Sequence, residues 1–135
     1  MKWLKSWVKH YQIYLGRISV IENWKLPVAI TLSVVGNCIA WFHMNAQFKW
    51  GWGKSQWFIA LGGIPVSYAF YYSTKFFYQH FNSYWSVRPI GFGIATLIFG
   101  LLTTLVLGEI PNQRIIVSLI LACVILYINL SVHIK

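Results

Sequence analysis

Apolar residues at the start of the chain recur at steps of three and four. Trp3, Leu4, Trp7, Val8, Tyr11, Tyr14, Leu15 and Ile18 form one stripe, while Lys2, Lys5, Ser6, Lys9 and Arg17 take the other side. This pattern predicts a basic amphipathic helix over residues 1–20. It would lie in the headgroup plane, anchored by Trp3 and Trp7 in the acyl boundary and by Lys2, Lys5 and Lys9 on anionic headgroups. The apolar stretch is broken by tyrosines, lysines and an arginine, so a cleaved signal peptide is not expected.

Beyond it the pattern changes from a stripe to continuous apolar runs. Four are read, over about residues 26–44, 57–77, 88–108 and 112–132, together making a transmembrane domain over 26–132. Each approaches the ~20 residues that about 30 Å of hydrocarbon requires. Pro27 and Pro89 are placed in opening turns, where a missing amide hydrogen does no harm. Gly62, Gly63 and Pro65 are expected to kink the second run unless neighbouring helices satisfy the freed carbonyl. Between the first two runs, Lys49, Trp50, Gly51, Trp52, Gly53 and Lys54 combine turn residues with interfacial aromatics. The fold class is therefore all-α: a polytopic membrane protein with four transmembrane helices and an N-terminal interfacial helix.

Composition agrees, with 58% hydrophobic, 19% aromatic and 10% charged residues in 135. A soluble domain carries roughly a quarter of its residues charged. The net charge of +9 does not point to nucleic acid, because the cations lie before and between apolar runs rather than on one folded surface. They read as contacts to anionic lipid and as orientation signals. Lys2, Lys5, Lys9, Arg17, Lys25, Lys75, Arg88 and Lys135 fall on one side and Lys49, Lys54 and Arg114 on the other, eight against three. Both termini are expected in the cytoplasm, in a bacterial-type inner (plasma) membrane. Cys38 and Cys123 sit inside apolar runs and read as packed thiols, with no metal-ligand spacing around them.

The stretch from Asn37 to Trp50, NCIAWFHMNAQFKW, precedes a Trp-led second helix and a third ending TTLVLGEIPN. Together they resemble a small four-helix branch of the drug/metabolite transporter superfamily and, more distantly, the small multidrug resistance proteins. The resemblance covers nearly all of the chain after the amphipathic helix. It implies a compact four-helix fold working as a dimer or larger assembly. The small multidrug resistance proteins exchange protons through a glutamate midway along their first helix, and this chain has none there. Asn37 lies in that helix and does not exchange protons at physiological pH.

Glu22 and Glu109 are the only carboxylate side chains, and both belong near the membrane surface. Glu109 is expected to pair with Arg114 or to satisfy amides of the fourth helix, the alternative being a vestibule role alongside Arg114. His43 reads as an interfacial histidine hydrogen-bonded near a helix end, or as a polar gate. A solute site, if formed, is expected between Asn37, Tyr68 and Tyr71, where an aromatic wall with one amide suits an amphipathic or cationic solute. Gly100, Thr104 and Gly108, spaced by four, offer a small face for close helix packing, as do Ser118 and Ala122. No phosphate loop, paired carboxylates or catalytic triad pattern is present, so neither an enzyme nor a cofactor is expected. Two readings follow: a small-solute permease or exporter without a midplane carboxylate, expected as a homodimer, and a non-catalytic accessory or scaffold subunit of a larger membrane complex.

Overall fold

The computed structural model describes residues 23–131, so the amphipathic helix expected over 1–20, with Trp3, Trp7, Lys2, Lys5 and Lys9, lies outside the described residues. The described chain has no strand and is built from four long helices: α1 Lys25–Lys49, α2 Gln56–Phe81, α3 Tyr84–Leu102 and α4 Gln113–Ser131. A short 3-10 turn, Gly51–Lys54, joins α1 to α2, and α3 ends in a π turn over Thr103–Leu107.

Among the described residues, three helical segments are long and apolar enough to cross a membrane. They are Lys25–Lys49, Tyr84–Leu107 and Gln113–Ser131, with mean hydropathies of 1.5, 2.3 and 2.2. The second of the four expected crossings is helical but is not among them. At 26 residues α2 has ample length, about 39 Å at 1.5 Å per residue. Its tyrosines, serines, glycines and Pro65 hold its hydropathy below that of the other three.

The C-terminal ends of α1 and α2 and the start of α3 extend beyond the expected limits, while α4 and the end of α3 stay within them. α1 continues to Lys49, five residues beyond the expected exit, and the Trp50 amide closes it onto the Ala46 carbonyl. Gly53 then packs against the α1 backbone, where an added Cβ would lie 2.5 Å from the Ala46 carbonyl carbon. α2 stops at Asn82, whose φ of 51° and amide bond to the Tyr78 carbonyl make a left-handed cap. α3 begins at Tyr84, so Pro89 lies beyond its first turn and gives the Trp85 carbonyl no amide hydrogen. This corrects the placement of Pro89 in an opening turn. Pro27 does fall in the first turn of α1, and α2 runs unbroken through Pro65.

The packing is that of an open bundle. α1 packs most extensively on α2 and also against α3, while α4 docks chiefly on α3. Along the α1–α2 seam Ala29, Ser33 and Gly36 face α2; a Cβ on Gly36 would sit 3.1 Å from the Ala69 Cβ, and Ser73 Oγ donates to the Ala29 carbonyl at 2.8 Å. Small residues at these spacings let backbones approach. The main apolar core gathers at one end of the bundle, from Ala29, Phe77, Phe81, Val87, Ile90 and Ile94. At the opposite end Trp41 and Ala46 are buried. Burial is low throughout: 22% of the most apolar window is buried in α1, 17% in Tyr84–Leu107 and 6% in α4. The outward face of α4, including Ile116, Val117, Ile120, Val124 and Tyr127, is apolar and uncovered. Such a surface is stable only against lipid or another apolar chain.

Aromatic side chains collect at both ends. Trp24 meets Phe76 edge-on at 5.3 Å and Tyr84 lies near Tyr78 at one end; Trp50 stacks on Trp52 at 5.6 Å at the other. The 25 residues of α1 between these ends span about 37 Å, the hydrocarbon thickness plus part of each interface. Two aromatic belts at that separation match the two headgroup levels of a bilayer.

Candidate functional site

Two hollows lie on either side of the α1–α3 contact, and Asn37 and Ala95 stand in the walls of both. The larger, about 430 Å³, is bounded by α1, α2 and α3 and is lined by Ser33, Asn37, Phe70, Thr74, Arg88 and Phe92, among others. The smaller, about 330 Å³, lies between α1, α3 and α4, with Trp41, Met44, Phe99 and Leu119 in its walls. Both volumes fall in the range of small-molecule sites. The smaller hollow is almost wholly apolar. The larger carries hydroxyls, an amide and one cation.

Several hydroxyls outside the larger hollow are satisfied within their own helix. Thr31, Ser67, Thr96, Thr104 and Ser118 each return a hydroxyl hydrogen bond to the carbonyl four residues earlier. In a low-dielectric medium this removes the cost of a bare hydroxyl. Ser33 and Thr74 make no such bond, although Ser33 is only 3% exposed. Asn37 uses its Nδ2 to donate to the Ser33 carbonyl at 2.8 Å, which leaves its Oδ1 as an acceptor. No fully enclosed side-chain nitrogen or oxygen among the described residues lacks a partner. The unpaired oxygens of Ser33, Asn37 and Thr74 therefore open onto the hollow.

Tyr68 and Tyr71 are not brought to Asn37. They are 63% and 64% exposed and line neither hollow. The face of α2 opposite Asn37 is Phe70, Ser73, Thr74 and Phe77. Because α2 turns about 100° per residue, a helix that sets Phe70, Ser73, Thr74 and Phe77 inward carries Tyr68 and Tyr71 on its outer side. The aromatic density of this helix did not show which face would be inward. The small residues Ala29, Ser33 and Gly36 mark the face of α1 on which α2 lies, a signal on the neighbouring helix rather than on α2 itself.

His43 is directed away from both hollows and fastens α1 to the start of α2. Its Nε2 lies 2.9 Å from the Ile59 carbonyl, and its ring meets Phe58 edge-on at 5.5 Å. A carbonyl only accepts, so Nε2 carries the hydrogen. Gly62 makes room for the ring: a Cβ there would fall 2.3 Å from His43 Cδ2.

Glu109 and Arg114 are exposed at the end of the bundle that also holds Lys49 and Lys54, and no ion pair joins them among the described residues. The amide at the start of α4 is capped by another residue. Asn112 Oδ1 accepts from the Ile115 amide at 3.1 Å, which corrects the expectation that Glu109 would serve there. Nearby, Lys49 Nζ donates to the Val106 carbonyl at 2.6 Å and Trp41 Nε1 donates to Thr103 Oγ1 at 3.1 Å. A π turn leaves terminal carbonyls without intrahelical partners, and the α1 side chains supply two of the bonds that secure it. Sequence reading left Trp41 and Thr103 unjoined because 62 residues separate them.

Of the expected packing face, Gly100 meets α4, where a Cβ would be 2.7 Å from Leu119 Cδ2. Thr104 and Gly108 do not meet α4. Thr104 is exposed, and Gly108, at φ 74°, ends the π turn in a left-handed conformation open only to glycine at low cost. The close α3 partner of Gly100 is Gly93, packed on Leu126 and the Ala122 carbonyl. Cys38 and Cys123 are free thiols on α1 and α4.

Compared with protein-family models, curated proteins and solved structures, the chain matches none of them.

Proposed function

We propose that the chain is a small integral membrane protein of the drug/metabolite-transporter type, with four crossings, a basic interfacial helix ahead of them and both termini cytoplasmic. Its activity is passage of a small solute along the two hollows. The observation that carries this reading is the pair of adjacent hollows that share Asn37 and Ala95 in their walls, with unpaired oxygens of Ser33, Asn37 and Thr74 on the larger side. Hydroxyls that open onto a hollow without a protein partner are available to the polar groups of a solute. No carboxylate lines either hollow, so proton exchange through a midplane acid is not part of the mechanism.

Gly91 supplies the test. It lines the larger hollow, and a Cβ built there meets nothing within 4 Å. Gly91→Leu adds apolar bulk at the wall of the larger hollow from a position whose Cβ meets no neighbour. In proteoliposomes, flux of a transported solute is expected to fall at least tenfold in Gly91→Leu while the thermal midpoint stays within a few degrees. Solute flux equal to wild type with this bulk in place would reject the path.

A second reading, an accessory subunit of a larger assembly, is favoured by α4, whose outward face is apolar and whose window is 6% buried. Native mass spectrometry of gently extracted protein separates the two. A homodimer supports the permease, and stoichiometric capture of an unrelated membrane protein supports the subunit.

A further inference from the structure

The larger hollow carries a charge preference opposite to the cationic one that its aromatic residues suggest. Arg88 stands at its mouth beside Tyr84, and no aspartate or glutamate lines it. The guanidinium lies 5.8 Å from the Tyr84 ring centroid and has no hydrogen-bond or ion-pair acceptor among the described residues. Five donors in a fixed fork are thus left for an external oxyanion. The start of α3 adds to this potential. Ser83 gives no side-chain cap to the first-turn amides, and the positive end of the helix dipole favours an anion within the first turn or so. Below Arg88 the wall is apolar, with Phe70, Phe77, Val87 and Phe92. The unpaired oxygens of Ser33, Asn37 and Thr74 come deeper, toward Ala95, about 10 Å along α3 from Arg88 at 1.5 Å per residue.

Resting on the reading of this hollow as a solute site, we infer that it takes an anionic amphiphile. A phosphate or carboxylate is held by Arg88, an apolar body lies against Phe77 and Phe92, and a hydrogen-bonding group reaches the oxygens of Ser33, Asn37 and Thr74. A cation of the same size finds no counter-charge in the hollow and meets the Arg88 field at its entrance. The same headgroup chemistry is offered by a soluble alkyl phosphate and by a phosphate lipid of the surrounding bilayer.

The experiment uses the full chain in nanodiscs, with intrinsic tryptophan fluorescence and thermal shift as readouts. Hexyl phosphate is compared with hexyltrimethylammonium and hexanol in phosphatidylcholine discs. In a parallel arm phosphatidic acid is titrated into the disc lipid. Expected is saturable binding of the phosphate probe at least tenfold tighter than of the cation, reduced about tenfold by Arg88→Gln, largely retained in Arg88→Lys and abolished by Gly91→Leu. Thr74→Val, which keeps the side-chain shape, weakens binding about threefold and provides a second variant if Arg88→Gln does not fold. Saturation by hexyl phosphate alone identifies a soluble ligand, and saturation by phosphatidic acid identifies a lipid. Equal binding of cation or alcohol, still blocked by Gly91→Leu, overturns the anion preference and leaves the solute path standing. Absence of binding by every probe in both arms overturns both.

Discussion

Gly62 and Gly91 lie on different helices, and a methyl group added at each meets opposite surroundings. At Gly62 it would collide with the His43 ring, itself held by the Ile59 carbonyl at 2.9 Å. Overpacking costs about 1–3 kcal/mol, more than the roughly 0.5–1 kcal/mol that alanine gains over glycine in a helix. Gly62→Ala is therefore expected to lower the unfolding midpoint in detergent, and Gly91→Ala, facing open space, to raise it slightly. Equal midpoints for the two variants would mean that His43 has another place to go. Trp41 offers a second test at this scale. Its ring is 2% exposed and its indole donates to Thr103 at 3.1 Å. Trp41→Phe retains most of the apolar contact and loses the hydrogen bond, for which interhelical bonds in membranes set a cost of about 1 kcal/mol. Thr103→Val should cost a similar amount, and the double variant little more than either alone, as measured by a double-mutant cycle.

At the scale of elements, α4 is the most weakly held helix and its docking depends on one seam. Ala122 is buried against α3, and Leu119 and Leu126 occupy the spaces that Gly100 and Gly93 leave open. A Cβ on Gly93 would approach Leu126 Cγ at 2.6 Å and the Ala122 carbonyl at 3.3 Å. Gly93→Ala is expected to destabilise the bundle by ~1–2 kcal/mol in thermal unfolding, and Leu126→Ala in the same chain to recover part of the loss by making room. If the double variant is merely the sum of the two losses, the seam is not set by this pair. The spacing of four that links Gly100, Thr104 and Gly108 describes an α-helix. The π turn over Thr103–Leu107 breaks that register, which is why only Gly100 of the three meets the neighbouring helix.

For the whole molecule, the proposed orientation with both termini cytoplasmic rests on charges outside the described bundle. Within residues 23–131 the cations divide three and three: Lys25, Lys75 and Arg88 toward one end, Lys49, Lys54 and Arg114 toward the other. The excess comes from Lys2, Lys5, Lys9, Arg17 and Lys135. Replacing Lys2, Lys5, Lys9 and Arg17 by glutamine is expected to give a mixed population of orientations, because the remaining bias is a single lysine. Labelling of Ser55→Cys by a membrane-impermeant maleimide, in a chain with Cys38 and Cys123 changed to alanine, measures it. Uniform labelling from the outside despite the four changes would show that orientation is set by helix hydropathy rather than by charge.

The sequence by itself determined the helices, the apolarity that suits three of the described segments to a bilayer, and the level of most polar residues along the chain. These follow from local quantities: run length, hydropathy and the positions of glycine, proline and charge. It also placed Asn37 midway along α1, between the two aromatic ends. Which face of α2 would meet Asn37 was decided by tertiary packing, since a helix rich in aromatics on every side has no periodic signal to orient it. The small residues Ala29, Ser33 and Gly36 brought Ser73 and Thr74 inward and sent Tyr68 and Tyr71 outward. That rotation set Phe70, Thr74 and Phe77 in one hollow with Arg88, a consequence of three helices meeting that no single stretch of chain contains.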